Sequence, residues 1–186
     1  EKDGEVFTTL DGTERTLTDD MLLIKDAERG IAIAGVMGGL NSEIEEDTKT
    51  IIVESANFAG SSVRTTSKKL GLRTEASARF EKGIDPNLCE AAADRVCRLI
   101  ELTDAGKVCK GSVDNYPVPE EAKTIDIRVD RINRVLGIEL ERQEMVDILE
   151  SLEIKVAGSG NIMTVTPPTI RQDLLEEEDY IEEVAR

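Results

Sequence analysis

Pro117-Val118-Pro119-Glu120-Glu121 interrupts every periodic pattern in this 186-residue sequence. Two prolines around a single residue remove backbone donors and fix φ, so neither a helix nor a central strand runs through them. Beyond this point hydrophobic periodicity begins again. The chain is therefore expected to fold as two domains, 1–117 and 124–186, joined by a linker at 118–123. Its length suits one large or two small domains, and an apolar content of 39% can give each a core.

The first half reads as a mixed-sheet α+β arrangement. VFTTL and TERTL flank Asp11-Gly12, so residues 5–17 are expected to form a hairpin. Residues 21–25 and 30–36 are apolar strands around the polar turn Asp26-Ala27-Glu28-Arg29. The second runs into Met37-Gly38-Gly39, a loop with three glycines when Gly35 is included. Such glycines permit positive φ or close backbone approach, and a simple tight turn would use them equally. No GxGxxG or Walker pattern accompanies them, so no nucleotide loop is expected. The apolar run Ile51-Ile52-Val53 ends on Glu54, and residues 50–54 are expected to be the next strand. Residues 62–70 follow as a short helix, with Ser61 or Ser62 as its N-cap and Gly71 as its stop. Asp85-Pro86 starts a long helix with Leu88, Ala92, Val96, Leu99 and Ile100 on one face. Residues 107–113 return as a strand.

The second half reads as a strand at 125–129, a helix at 131–136 capped by Asp130 and stopped by Gly137, and a helix at 141–152. That helix is expected to bury Met145, Ile148, Leu149 and Leu152. A hairpin follows, 154–156 with 162–166, around Gly158-Ser159-Gly160, and a last helix begins near Glu176. Strand, helix, turn, helix and two-stranded wing outline a small winged-helix-like, helix-turn-helix domain. A DNA-reading role is poorly supplied, because residues 124–186 carry 7 Lys/Arg against 15 Asp/Glu.

Charge is unevenly placed. Residues 62–82 hold Arg64, Lys68, Lys69, Arg73, Arg79 and Lys82 against Glu75 and Glu81, a net +4 in a chain of net −16. A basic island on an acidic chain suits a polyanion, and a solvated helix face would show the same charges. The overall acidity excludes a general nucleic-acid coat. With 3% aromatics and no Trp, base-stacking platforms are scarce. With no His, and with Cys89, Cys97 and Cys109 outside any CxxC pair, ordinary zinc spacing and a Cys–His nucleophile are excluded. Cys89 and Cys97 read as small buried apolar residues. An odd cysteine count suits a reducing cytoplasm. No apolar run approaches ~18 residues, so neither a membrane span nor a signal peptide is expected.

Two constellations could carry chemistry. Glu54 closes an apolar run, where a carboxylate needs a partner or a rim position. It could pair with Arg64 or Arg73, or face a ligand together with Thr74, Ala76 and the 35–39 loop. Further on, Asp179, Glu182 and Glu183 lie at i, i+3 and i+4, with Asp173 upstream. Such carboxylates suit Mg²⁺, and an acidic helix start that complements the helix dipole would look alike.

GVMGGLNSEI (35–44), IIVESANFAGSSVRTTSKKLGLRTEASARFEKGIDP (51–86) and PPTIRQDLLEEEDYIEEVAR (167–186) closely resemble the beta subunit of bacterial phenylalanyl-tRNA synthetase. The match extends in order over nearly the whole chain. It implies an internal segment: an editing domain without its beginning, then the small domain that follows it, cut short at its end. The resemblance implies that Glu54 and Thr74 act in the editing pocket, which hydrolyses misacylated Tyr-tRNA-Phe. Gly35, Gly38 and Ala76 line it and bind substrate. It further implies that Asp173, Asp179, Glu182 and Glu183 bind Mg²⁺ shared with the alpha subunit of an alpha2-beta2 enzyme. That whole enzyme charges tRNA-Phe with phenylalanine using ATP, which this segment would not bind, in the cytoplasm. The basic residues Arg64, Lys68, Lys69 and Arg73 would face tRNA. The family's pocket also uses a histidine upstream of the glycine loop. This chain has none, so an incomplete pocket is expected. The rival expectation is a non-catalytic tRNA- or DNA-binding or subunit-docking module.

Overall fold

The computed structural model describes residues 3–186. The chain divides into two compact units, Glu1–Asp114 and Asn115–Arg186.

In the first unit, β1 (Val6–Thr8) and β2 (Glu14–Thr16) form the expected antiparallel hairpin, with Val6 opposite Thr16. Its turn is held by Asp11, whose carboxylate accepts from the Thr9 hydroxyl at 2.6 Å and the Thr13 amide at 3.1 Å. Gly12 supplies the positive φ of +74°. A second antiparallel sheet runs β3 (Leu23–Lys25), β4 (Gly30–Ile33), β5 (Met37–Gly38). The Asp26 carboxylate closes the β3–β4 turn by accepting from the Glu28 and Arg29 amides, each at 2.7 Å. All strand pairings among the described residues are antiparallel.

Helix α1 (Gly60–Lys69) buries Val63, Thr66 and Ser67, an i, i+3, i+4 stripe. It ends as its sequence predicts. Gly71 takes φ +62°, the Leu72 amide donates to Ser67 O, and the Gly71 amide donates to Lys68 O. That pair of bonds is a Schellman closure. The start differs from expectation: Ala59 is the N-cap, with no side-chain cap bond, and neither Ser61 nor Ser62 caps it. Helix α2 (Glu75–Phe80) and helix α3 (Cys89–Leu102) follow. The core of this unit is Phe7, Leu17, Met21, Leu23, Ile33, Val36 and Val63, flanked by Phe58 and Phe80.

Three expectations fail here for one reason, the absence of a covering element among the described residues. Residues 50–54 form no strand, since no described strand pairs with them, and Ile52 is 95% exposed. Residues 107–113 likewise form no strand, and Val113 is fully exposed. Helix α3 forms, but none of its residues is buried; Val96 and Leu99 are exposed, and Cys89 and Cys97 are only half-buried. Periodicity names the face a helix would bury without supplying what buries it.

The second unit follows its sequence closely. It comprises β6 (Ile125–Arg128), α4 (Val129–Leu136), α5 (Arg142–Ser151), β7 (Lys155–Ala157), β8 (Ile162–Thr166) and α6 (Glu177–Ala185). The sheet order is β6-β8-β7, antiparallel, with Ile125 opposite Val165. Gly137 stops α4 at φ +69°. Arg128, not Asp130, is the N-cap of α4, and the Asp130 carboxylate instead accepts from the Asn161 side-chain amide at 2.7 Å. Helix α5 buries Met145, Val146 and Leu149; Ile148 and Leu152 pack at the margin of the core. Ile127, Ile132, Met163, Val165 and Tyr180 are also fully buried. Each such side chain contributes about 1.5–3 kcal/mol by its removal from water.

Candidate functional site

A cavity of about 600 Å³ opens in the first unit. Gly35, Gly38, Glu54 and Ala76 line it, as do Phe58 and Phe80. The two phenylalanine rings lie 5.1 Å apart at 56°, a tilted pair. They make the apolar wall in a chain with only three Phe. The glycines are there for space. Gly35 has φ +68°, and a Cβ on it would stand 2.9 Å from Val63, 3.1 Å from Phe58 and 3.2 Å from Phe80. A Cβ on Gly38 would approach Leu10 to 3.1 Å. Any larger residue at position 35 must therefore displace the wall itself.

Thr74 is not among the residues that line this cavity. Its hydroxyl donates to Val36 O at 2.8 Å and accepts from the Ser77 amide at 3.1 Å. Ser77 returns the bond, its hydroxyl accepting from the Thr74 amide at 2.9 Å. This capping box fixes the start of α2, and the Val36 contact ties α2 to the turn at 34–36; Met37 and Gly38, expected in a loop, are strand β5. Ala76 thereby presents a methyl, and no more, to the cavity.

Glu54 keeps exposed surface, yet the protein around it pushes its carboxyl above the ordinary 4.5 by desolvation. It has no ion-pair partner among the described residues. Arg73, one of its candidate partners, lies 3.6 Å from Glu81 instead. A carboxylate left without a cation on an apolar cavity is an acceptor for a hydroxyl donor. Two amides of the loop are already engaged: Val36 donates to Ile33 O and Gly39 to Ile31 O. Sequence reasoning missed Phe58, Phe80, Asp85 and Cys89 as lining residues. The scarcity of phenylalanine was the only available signal for the two rings. Asp85 is buried and caps the next turn, accepting from the Asn87 amide at 2.9 Å. Burial pushes the Cys89 thiol up, away from reactivity.

Of the basic residues, Lys69 is held by Asp20 at 2.7 Å and Arg73 meets Glu81, while Arg64 and Lys68 are exposed on α1, with no ion pair among the described residues.

In the second unit the four acidic positions do not converge. Asp173 and Glu183 are both bound by Arg171, at 2.7 Å each. Asp179 accepts from the Leu175 and Glu176 amides at 2.8 Å as part of the α6 capping box. Glu182 lies 3.9 Å from Arg186, and both are exposed. Among the described residues, no three acidic, His or Cys side chains are grouped to hold a metal ion. As these residues stand, they do not fit a magnesium site.

Residues 1–104 match the B3/4 domain model, and residues 125–186 match the tRNA synthetase B5 domain model. Over 185 residues, 100% of this chain, it is 49% identical to the phenylalanine–tRNA ligase beta subunit of Clostridium tetani. It is 44% identical over 184 residues, 99% of the chain, to that of Bacillus subtilis. The chain belongs to the phenylalanine–tRNA ligase beta-subunit family. It spans 23% of the length of each of these relatives. A solved N-terminal fragment of the phenylalanyl-tRNA synthetase beta subunit from Pyrococcus horikoshii aligns with 99% of this chain and 53% of its own, at 16% identity and a TM-score of 0.47. The cavity lies within the B3/4 match and the acidic helix within the B5 match. No helix among the described residues is long and apolar enough to cross a membrane.

Proposed function

We propose that the first unit is the editing part of a phenylalanine–tRNA ligase beta subunit and hydrolyses Tyr-tRNA-Phe. The observation that carries this reading is the cavity joining Glu54 to Gly35, Gly38 and Ala76 against a phenylalanine wall. Tyrosine differs from phenylalanine by one hydroxyl, which an apolar synthetic pocket rejects only about a hundredfold. A second site that hydrogen-bonds that hydroxyl separates the two. The Glu54 carboxylate accepts a hydrogen bond from the para-hydroxyl. With phenylalanine bound, the same carboxylate is desolvated and unpaired, which is unfavourable. Ala76 leaves room for the ring, and Thr74 is a positioning residue that holds the loop to α2.

Water adds to the ester carbonyl, the ester C–O bond breaks, and tyrosine leaves a free ribose hydroxyl on the tRNA. With no histidine in the chain, water placement rests on pocket groups and on that ribose hydroxyl. Arg64 and Lys68, the uncommitted cations of α1, face the tRNA backbone, with Lys69 and Arg73 beside them. Charging by ATP and Mg²⁺, with the alpha subunit in an alpha2-beta2 enzyme in the cytoplasm, belongs on this reading to the assembly and not to a site preformed in this chain.

The test is deacylation of Tyr-tRNA-Phe by the assembled alpha–beta enzyme. Glu54→Ala should slow it by roughly tenfold or more, the effect of losing a hydrogen bond to a charged group. An unchanged rate would leave the cavity without an editing role and favour a docking module.

A further inference from the structure

The cavity of the first unit carries charge of one sign. Glu54 and Asp85 are the charged side chains among its lining residues, and no lysine or arginine lines it. Asp85 is only 4% exposed, and its carboxylate accepts from the Asn87 amide at 2.9 Å, which fixes it where the chain turns into α3. The positive end of α3, at Cys89, already has two carboxylates near it in sequence, Asp85 before it and Glu90 in its first turn.

A thiol on the same wall registers that sign. Cys89 lines the cavity, and its pKa is pushed up by burial first and then by the charges of Asp114 and Asp85. A hydrogen bond with Ser55, another lining residue, acts the other way. The field of Asp85 therefore reaches groups that face the cavity.

An aminoacyl ester and the amino acid it yields differ in charge. The ester carries an α-ammonium and no acid group. On hydrolysis the water oxygen stays on the acyl carbon, the ribose oxygen takes one proton, and a second proton goes to solvent. The product so gains a carboxylate in a cavity that already holds two.

We propose that this cavity selects by charge as well as by ring: it holds the cationic aminoacyl ester and drives out the carboxylate that hydrolysis makes, with Asp85 as the second selecting residue beside Glu54. This rests on the first unit being the aminoacyl-hydrolysing site proposed above. It adds that free amino acid competes poorly for that site.

The test is calorimetric titration of the 186-residue chain at about pH 6.5, below the usual α-amino range. The ligands are tyrosinamide, tyrosine, phenylalaninamide and phenylalanine. Each amide stands in for the ester, since it keeps the ring and the ammonium and lacks the carboxylate. Each amide should bind at least about tenfold more tightly than its acid, because like charges repel strongly where the dielectric is reduced. Asp85→Asn keeps a capping acceptor and removes the charge, so the amide-to-acid ratio should fall by at least about threefold for both pairs. If only the Glu54 reading fails, tyrosyl and phenylalanyl compounds bind alike while each amide still outbinds its acid. If only the charge selection fails, the tyrosyl preference stays and each acid binds as tightly as its amide. Equal affinity of acid and amide in wild type, an unchanged ratio in a folded Asp85→Asn chain, or no binding of any of the four compounds overturns the proposal. Should Asp85→Asn fail to fold, Glu54→Gln carries the charge test, and an unchanged ratio there overturns it.

Discussion

The two units use apolar periodicity to different ends. In the second, 12 buried apolar residues drawn from three helices and two strands, with Ile154 and Leu174 between them, close on one another. In the first, a larger unit, 7 do so, and the 14-residue helix α3 leaves its apolar stripe open. The cavity with Glu54 lies on that looser side and counts Ala92 of α3 among its lining residues. One unit is organised around a core and the other around a wall. A closed core favours stability, and a wall with space in front of it can receive a ligand.

Truncation would sharpen that contrast most. Leu149→Ala and Ile132→Ala, at fully buried positions, should each destabilise the second unit by about 2–5 kcal/mol. Leu99→Ala, at a position 43% exposed, should change the first by less than about 1 kcal/mol. Urea melts of the chain would show this, and equal losses would break the comparison.

A smaller effect separates the units by pH. The Glu177 carboxylate accepts from the Arg128 amide at 2.8 Å and from its guanidinium at 2.7 Å, and it also meets Arg131. These contacts, the Arg128 hydrogen bond first, hold its pKa below the ordinary 4.5. A depressed folded-state pKa stabilises above 4.5, and that stability is lost as pH falls through the folded value. Glu177→Gln should therefore weaken the chain at pH 7 and lose its effect in acid.

Glu54 should show the smallest effect and the opposite sign. Its raised pKa means that the ionised form opposes folding, so stability rises as pH falls through the folded value and is level below 4.5. Glu54→Gln should slightly stabilise the chain at pH 7, the pattern of a group kept for function at some loss of stability. Thermal melts at both pH values check both variants.

How much was legible follows the same division. The second unit's elements, the hairpin at Asp11-Gly12 and the Gly71 and Gly137 stops are set by local residues, and the sequence shows them. For the cavity's glycines, Glu54 and Ala76 the residues left a ligand site and an ion pair equally open, and the family resemblance favoured the site, because they meet across about 40 residues of chain and share no periodic signal. The Thr74 hydrogen bond was hidden, because its partner is a backbone oxygen, Val36 O, which every residue type supplies. Arg171 was hidden likewise: a lone arginine near four carboxylates does not say which of them it binds.

On the proposed reading, Glu54 binds the tyrosine hydroxyl in this cavity. The direct measurement is calorimetric binding of non-hydrolysable amide-linked tyrosyl- and phenylalanyl-adenosine to the 186-residue chain and its Glu54→Gln variant. The tyrosyl compound should bind wild type more tightly, by roughly tenfold or more, as a hydrogen bond to a charged group provides. That preference should collapse in the variant while phenylalanyl affinity holds or rises. Equal affinities in wild type, or a tyrosyl preference that survives Glu54→Gln, would contradict it.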